Sequence, residues 1–469
     1  MMLTLLLVGM LALTFNIQPL KAEVRPYATT GIWIGGSDPT GWYKVDPQGN
    51  TIVPMQGFWY LDHNQQMAYN PVDKTVWWIT FWGDRAIKID KNGNVLRNVH
   101  TGRGVQGDIK IDPRDGSVWI VTGGGPFEGW LIKLDAEGNK LFEKPLGWRP
   151  GAVGQSAVWL YQDSVWVNTN DGRVLKFDLN GNLILQIDSW YEEGIHDIVV
   201  NEKDGTVWFS TRFGRLFKLN QQGEILLTKQ LPIETGQTFG LDIDTVTGHV
   251  WFIVSYIGKV IKVDQAGNIL FEKKYDYLFV PGRDTTISKI VVDPADGGAI
   301  IPLGPSARVV KVDPSGDVVF VVDAPFSFGV GCVAVEYETI PVITATVDID
   351  PQTLNLKSNG EFITAYIELP AGYNVADIDL TTVQLEGISA ITDPKYSFVT
   401  YPSQYLVDHD GDGIMERMVK FDRETVRTHL TSEPDYEETP KFYDIILKVT
   451  GKIAGTIFEG TDTIRVIKK

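Results

Sequence analysis

Two groups of residues in this 469-residue chain have the types and spacing to do chemistry. The first is His196-Asp197, in "EEGIHDIVVNEKDGTVWFSTRFGRLFKLN". An imidazole beside a carboxylate can serve as a general base or as a metal ligand. The second is "DHDGDGIME", residues 408–416. Asp408, Asp410 and Asp412 alternate, Gly413 permits a sharp turn, and Ile414 can offer its carbonyl, as in the first half of an EF-hand loop. The second half departs from that pattern. Position twelve is Val419, so the bidentate Glu is missing, and Glu416 falls at position nine instead. Three clustered carboxylates repel one another without a cation. Calcium is therefore expected on Asp408, Asp410, Asp412, Ile414 and Glu416, as a structural ion bound in the extracellular range of about 10⁻⁴–10⁻³ M.

What positions the first group is a repeat. A strand ending in Lys-x-Asp and followed by a Gly-containing turn occurs as "YKVDPQGN", "IKIDKNGN", "IKLDAEGN", "LKFDLNGN", "FKLNQQGE", "IKVDQAGN" and "VKVDPSGD". The matched positions are Asp46, Asp90, Asp135, Asp178, Asn220, Asp264 and Asp313, spaced 42 to 49 residues apart. Before most of them lies a strand marked by Trp33, Trp77, Trp119, Trp166, Trp208 or Trp251. A further strand precedes that one, so each unit reads as four antiparallel strands. A lone four-stranded sheet cannot bury both faces, and radial stacking of seven such sheets makes a seven-bladed β-propeller. The first unit lacks an inner strand, and "GVGCVAVEY", residues 329–337, is placed to supply it and close the ring. The six tryptophans then read as packing between blades.

Aligning the inner strands gives a ring around the central channel: Gln66, Asp108, Ser156 or Ala157, Asp197, Gly240, Lys289 and Cys332. One residue earlier come Gln65, Gly107, Gln155, His196, Phe239, Ser288 and Gly331. If the channel is catalytic, His196, Asp197 and Asp108 are its candidates. Turns between first and second strands, and between third and fourth, are short and repetitive and should share one plain face. The remaining connections vary, and variable loops on a rigid scaffold are where binding usually sits. On that loop-rich face Trp82, Trp148, Trp190 and Tyr191, with Arg103, Arg149, Arg212 and Arg283, are the residues expected to meet a protein or glycan.

The repeat ends near Tyr337. Residues 341–469 then carry about seven short strand-like runs, among them "FITAYIEL", "YSFVTY", "ERMVKF" and "YDIILKVTG". They suggest an immunoglobulin-like β-sandwich that holds the calcium loop. The apolar start, cut after Ala22, reads as a signal peptide over 1–22, leaving the propeller over 23–340. The mature protein is then expected outside the cytoplasm, extracellular or periplasmic, with no membrane span. A net charge of −17 argues against nucleic acid as a partner. Cys332 is the one cysteine, so no disulfide forms within the chain.

With its "DG-x-hydrophobic-W" and "hydrophobic-x-hydrophobic-D-x-x-G" elements, the repeat resembles the NHL, SMP-30 and streptogramin-lyase group of propellers over roughly residues 29–337. "DIDPQTLNLKSNGEFITAYIELP" with "DHDGDGIMERMVKFDR" resembles a module appended to diverse secreted bacterial and archaeal proteins. The first resemblance implies a propeller and leaves activity open, since the group includes lyases, lactonases and pure binding scaffolds. A streptogramin-lyase-like enzyme would use a His base with a divalent metal, for which His196 is placed. The acidic and amide ligand set of calcium-dependent lactonases is poorly matched by Gly240, Lys289 and Cys332. The preferred reading is a non-enzymatic scaffold with a calcium-stabilised spacer or attachment module. The alternative is a propeller lyase or lactone hydrolase using His196 with Asp197 or Asp108.

Overall fold

In the computed structural model the described residues are 25–468, apart from 59–63, 81–82, 105, 124–127, 148–155, 170, 189–192, 235–236, 280–288, 328 and 433–439. The chain falls into two compact units, Arg25–Thr339 and a second one running from Ile340. Among the described residues no helix is long and apolar enough to cross a membrane.

The first unit consists of seven four-stranded antiparallel sheets, the blades of a β-propeller. Blade 5 is typical: Ile195–Val200 innermost, then Val207–Thr211, Arg215–Leu219 and Ile225–Gln230. Blade 1 is built from both ends of the unit. Its inner strand is Gly329–Thr339, which pairs antiparallel with Tyr27–Ser37 and sets Trp33 opposite Ala334. The closure expected from "GVGCVAVEY" is therefore present.

Both sequence signatures of the repeat have a physical role. The motif Lys stands directly across from the motif Trp in six blades, as in Trp77↔Lys88 and Trp208↔Lys218. Each of these tryptophans is fully buried. The ammonium lies 4.6 to 5.7 Å from the ring centroid, within cation–π range. Five of these lysines then reach the next blade. Lys88, Lys133, Lys176, Lys218 and Lys262 donate to the carbonyls of Ala136, Leu179, Gln221, Gln265 and Pro314, each one residue past the neighbour's turn Asp or Asn. The turn residue caps its own hairpin. Asp90 Oδ1, for example, accepts the N–H groups of Asn92 and Asn94. One Lys-x-Asp thus makes a turn, covers a tryptophan and ties two blades together.

The second unit is a β-sandwich of two sheets. One contains Ile378–Leu385, Phe442–Ile453 and Thr456–Ile467, with Val342–Thr344 and Thr353–Asn355 added parallel to the last of these. The other contains Thr346–Asp350, Phe362–Glu368, Glu416–Asp422 and Leu406–Val407. Ile349, Ile363, Phe421, Leu447 and Phe458 belong to the core between them. The run "YSFVTY" is not a strand: it holds a short helix, Ser397–Thr400, and a second, Pro402–Tyr405, follows directly. Its aromatics do not alternate into a core. Tyr396 stacks on Phe398 at 4.9 Å, and Phe398 meets Phe362 edge-on. Pro402, with its fixed φ, starts the second helix. The helix Arg423–Ser432 is a second departure from the all-strand expectation. Asp422 caps it by accepting the Thr425 N–H at 2.8 Å, and Val426 and Leu430, four residues apart, are buried.

Candidate functional site

His196 and Asp197 sit at a β-bulge. Ile195 pairs with Thr211 and Ile198 with Phe209, so the inner strand holds one residue more than its partner. The same extra residue occurs at Gln65, Gly107, Phe239 and Gly331. Those are the positions that the sequence aligns with His196. The bulge is therefore a recurring feature of the inner strands, and His196 is blade 5's occupant of it. Burial, with Arg212 nearby, pushes its pKa down to about 4, so the ring is neutral at pH 7. It is 7% exposed.

The carboxylates of Asp197 and Asp108 are committed elsewhere. Lys289 Nζ lies 3.4 Å from Asp108 Oδ1 and 3.3 Å from Asp197 Oδ2, bridging blades 3, 5 and 7 across the channel. Each acid also clasps the next blade. Asp108 Oδ2 accepts the Val158 N–H at 3.2 Å, and Asp197 Oδ2 accepts the Leu241 N–H at 3.2 Å. Asp242, two residues beyond the ring position in blade 6, repeats the device by accepting the Val292 N–H at 2.7 Å. Burial raises the pKa of Asp197, and repulsion from Asp108 adds to this, while Lys289 opposes both. Burial also raises Asp242 against the pull of Lys110 and Lys289. For Lys289 burial works downward, but the three carboxylates outweigh it and its pKa ends above the usual lysine value. The girdle is a buried, internally compensated network, which resists losing any one member.

Asp242 and Lys110 were absent from the sequence-derived ring, although the signal was there. Residues i and i+2 of a strand face the same side, so a second ring follows from the first. That ring includes Lys110, Trp159 and Asp242, and Lys110 Nζ lies 4.2 Å from the Trp159 ring centroid. These residues line a cavity of about 310 Å³ reaching as deep as Asp108 and Lys289. It extends toward Pro113, Glu202, Thr245 and Pro294, in the turns between first and second strands. The cavity therefore opens on the face that the sequence reads as plain.

On the loop-rich face, Trp82, Trp148, Arg149, Trp190, Tyr191 and Arg283 lie outside the described residues. Arg103 stacks over Trp130 at 3.5 Å and pairs with Glu143 at 2.8 Å. Arg212 Nε donates to Gln237 Oε1 at 2.7 Å. Beside it a depression of about 500 Å³ is bounded by Phe213, Gln230, Glu234 and Gln237, with Phe213 53% exposed. Tyr275, an aromatic of the same connections, turns inward instead. It is buried, and its hydroxyl donates to the Gly316 carbonyl at 2.7 Å.

In the sandwich, ligand atoms of Asp408, Asp410, Asp412 and Glu416 lie within 4.8 Å of one another. Each carboxylate spends one oxygen on the loop's own backbone. Asp408 accepts from Gly411 N–H, Asp410 from Asp412, Asp412 from Ile414, and Glu416 from His409, at 2.7 to 3.1 Å. Gly411 and Gly413 take φ of +81° and +87°, which lets the loop fold over itself. Glu416 is buried, and the Ile414 side chain is exposed. A fifth acid that the local text could not announce faces the group. Burial raises the pKa of Glu368, on Phe362–Glu368, and Asp412, Asp410 and Glu416 raise it further. An all-oxygen, strongly acidic set of this kind fits a hard cation such as calcium.

No sequence family and no curated protein matches the chain. Solved structures do. A functionally unknown protein from Desulfotomaculum acetoxidans DSM 771 matches over 66% of this chain and 99% of its own, at 12% identity and a TM-score of 0.53. A protein of unknown function from Bacteroides caccae has the same coverages and identity, with a TM-score of 0.41. The WD40 β-propeller domain of Doa1 covers 66% of this chain and 90% of its own, with 12% identity and a TM-score of 0.46. At such identity the first of these likenesses concerns the fold alone, and the seven four-stranded sheets make that fold a β-propeller.

Proposed function

We propose that the protein is a secreted, non-enzymatic propeller of the NHL and SMP-30 type that binds a protein or glycan on its loop-rich face. The calcium-braced sandwich serves it as a spacer or attachment module. One observation carries the reading: the Asp108 and Asp197 carboxylates are taken up by Lys289 and by neighbouring blades. A base or metal ligand must be available to a proton or a cation, and these buried acids are already engaged by the Lys289 ammonium and by N–H groups of neighbouring blades. His196, neutral and enclosed, suits the same structural role. The depression beside Arg212, with Phe213 at its edge, offers the mixed apolar and polar surface that binding needs.

The test presents the full chain to immobilised glycans and proteins, with calcium and with chelator, beside His196→Ala, Trp148→Ala and Trp190→Ala. Binding lost in the tryptophan variants and kept in His196→Ala supports the scaffold. Turnover of a lactone or cyclic ester that disappears in His196→Ala overturns it.

The calcium assignment has its own measurement. Calcium is expected to raise the melting temperature of the sandwich saturably, and chelation to reverse this. Glu368→Gln changes one acid facing the loop, so a shifted calcium midpoint with unchanged folding places that residue in the site.

A further inference from the structure

The channel cavity ends in a mouth of different chemistry from the charged girdle above it. Tyr27 and Tyr69 both meet Tyr337 edge to face, with ring centroids 5.2 Å apart and planes inclined by 78° and 66°. All three rings line the cavity, as does Glu202, on the turn after Ile195–Val200. Solvent reaches Glu202, yet the surrounding protein desolvates its carboxyl enough to raise its pKa. Its charge in turn raises the phenol pKa values of Tyr27 and Tyr337, where burial is the larger cause.

Every other acid of the channel has a cation. Lys289 serves Asp108 and Asp197, and it serves Asp242 together with Lys110. Glu202 has none: no lysine or arginine among the described residues pairs with it. A carboxylate lining the same cavity as three aromatic rings, without a counter-ion, offers an organic cation both a charge and an apolar wall.

We propose that the mouth formed by Tyr27, Tyr69, Tyr337 and Glu202 binds a small organic ammonium ion, with the tyrosines as walls and the carboxylate as counter-charge. Rings carry negative potential on their faces and attract alkylammonium groups, most strongly where water is excluded. The alternatives fit less well. A sugar stacks on a flat platform, and rings inclined by 66° to 78° form a corner suited to a compact, rounded cation. A metal ion needs several anionic or carbonyl oxygens, and one carboxylate with neutral phenols does not supply them. Trp159, the other aromatic of the cavity, is already covered by Lys110, whereas no lysine or arginine among the described residues sits over the three tyrosines. The cavity volume of about 310 Å³ is at the small end for ligand sites.

Calorimetric titration of the full chain with tetramethylammonium chloride tests this, with sodium chloride and methyl glucoside as controls at matched concentration. One saturable site for tetramethylammonium, with no binding of methyl glucoside, is the expected result. Glu202→Gln, at a solvent-reachable turn, should weaken that site by about tenfold or more while leaving the melting temperature unchanged. Tyr337→Leu should abolish it, and Tyr69→Leu replaces that variant if the first fails to fold. No saturable heat, equal affinity in Glu202→Gln, or preference for methyl glucoside overturns the proposal. None of these outcomes depends on the loop-rich face, so the two readings stand or fall separately.

Discussion

At the scale of single residues, the channel shows how much a buried charge depends on its partners. Lys289→Met removes the cation that pairs with both Asp108 and Asp197. We expect a loss of about 3–5 kcal/mol in urea unfolding, partly restored when both acids become Asn. The histidines carry a different signature. His196 and His249 are each pushed down to about 4, by burial and then by a neighbouring cation. The folded state thus binds a proton less readily than the unfolded chain, whose histidines titrate near 6.5. The contribution is complete above pH 6.5 and is lost as pH falls toward 4, on the order of 3 kcal/mol for each ring. Urea midpoints measured down that range should fall, and the fall should be shallower in His196→Gln. Their imidazole resonances should stay unprotonated at pH 6. Of these features the sequence showed His196, Asp197, Asp108 and Lys289 by alignment. It could not show that His196 occupies a bulge, because a bulge is a mismatch between two strands and only pairing reveals it.

At the scale of elements, the repeat was legible because Trp and Lys-x-Asp recur at a nearly fixed period, and each recurrence supports the others. The work of the lysine was not legible, since its second contact lies one blade away. Lys176 shows the arrangement: its ammonium sits 5.1 Å from the Trp166 centroid and donates to the Gln221 side chain at 2.7 Å. Lys176→Met keeps the stem and removes the charge. A cost of about 1–2 kcal/mol is expected, read as a lower urea midpoint at unchanged slope. The sandwich was harder to read. "YSFVTY" has the composition of a strand but packs its aromatics against one another, and composition alone does not distinguish the two. The helix after Asp422 did carry a signal, a capping acid followed by Val426 and Leu430, but it lay inside a run of strands.

At the scale of the whole molecule, the tyrosine mouth was out of reach of any local reading. Tyr27, Tyr69, Glu202 and Tyr337 come from distant parts of the chain and meet only once the ring is shut. Shutting it falls to one seam, the pairing of Tyr27–Ser37 with Gly329–Thr339. That seam also has a mechanical consequence. Because Tyr27 lies opposite Thr339, both strands enter and leave the ring at the same end. A pull between residues 25 and 339 loads the rungs one after another, as in a zip, and does not shear them together. Optical-trap stretching should open blade 1 first, at lower force than the remaining blades. Gly35 sits across from Cys332, and a Cβ there would lie 2.6 Å from the Cys332 sulfur. An oxidised Gly35→Cys variant should stop the zip at that rung, making a propeller that tolerates heat and tension alike.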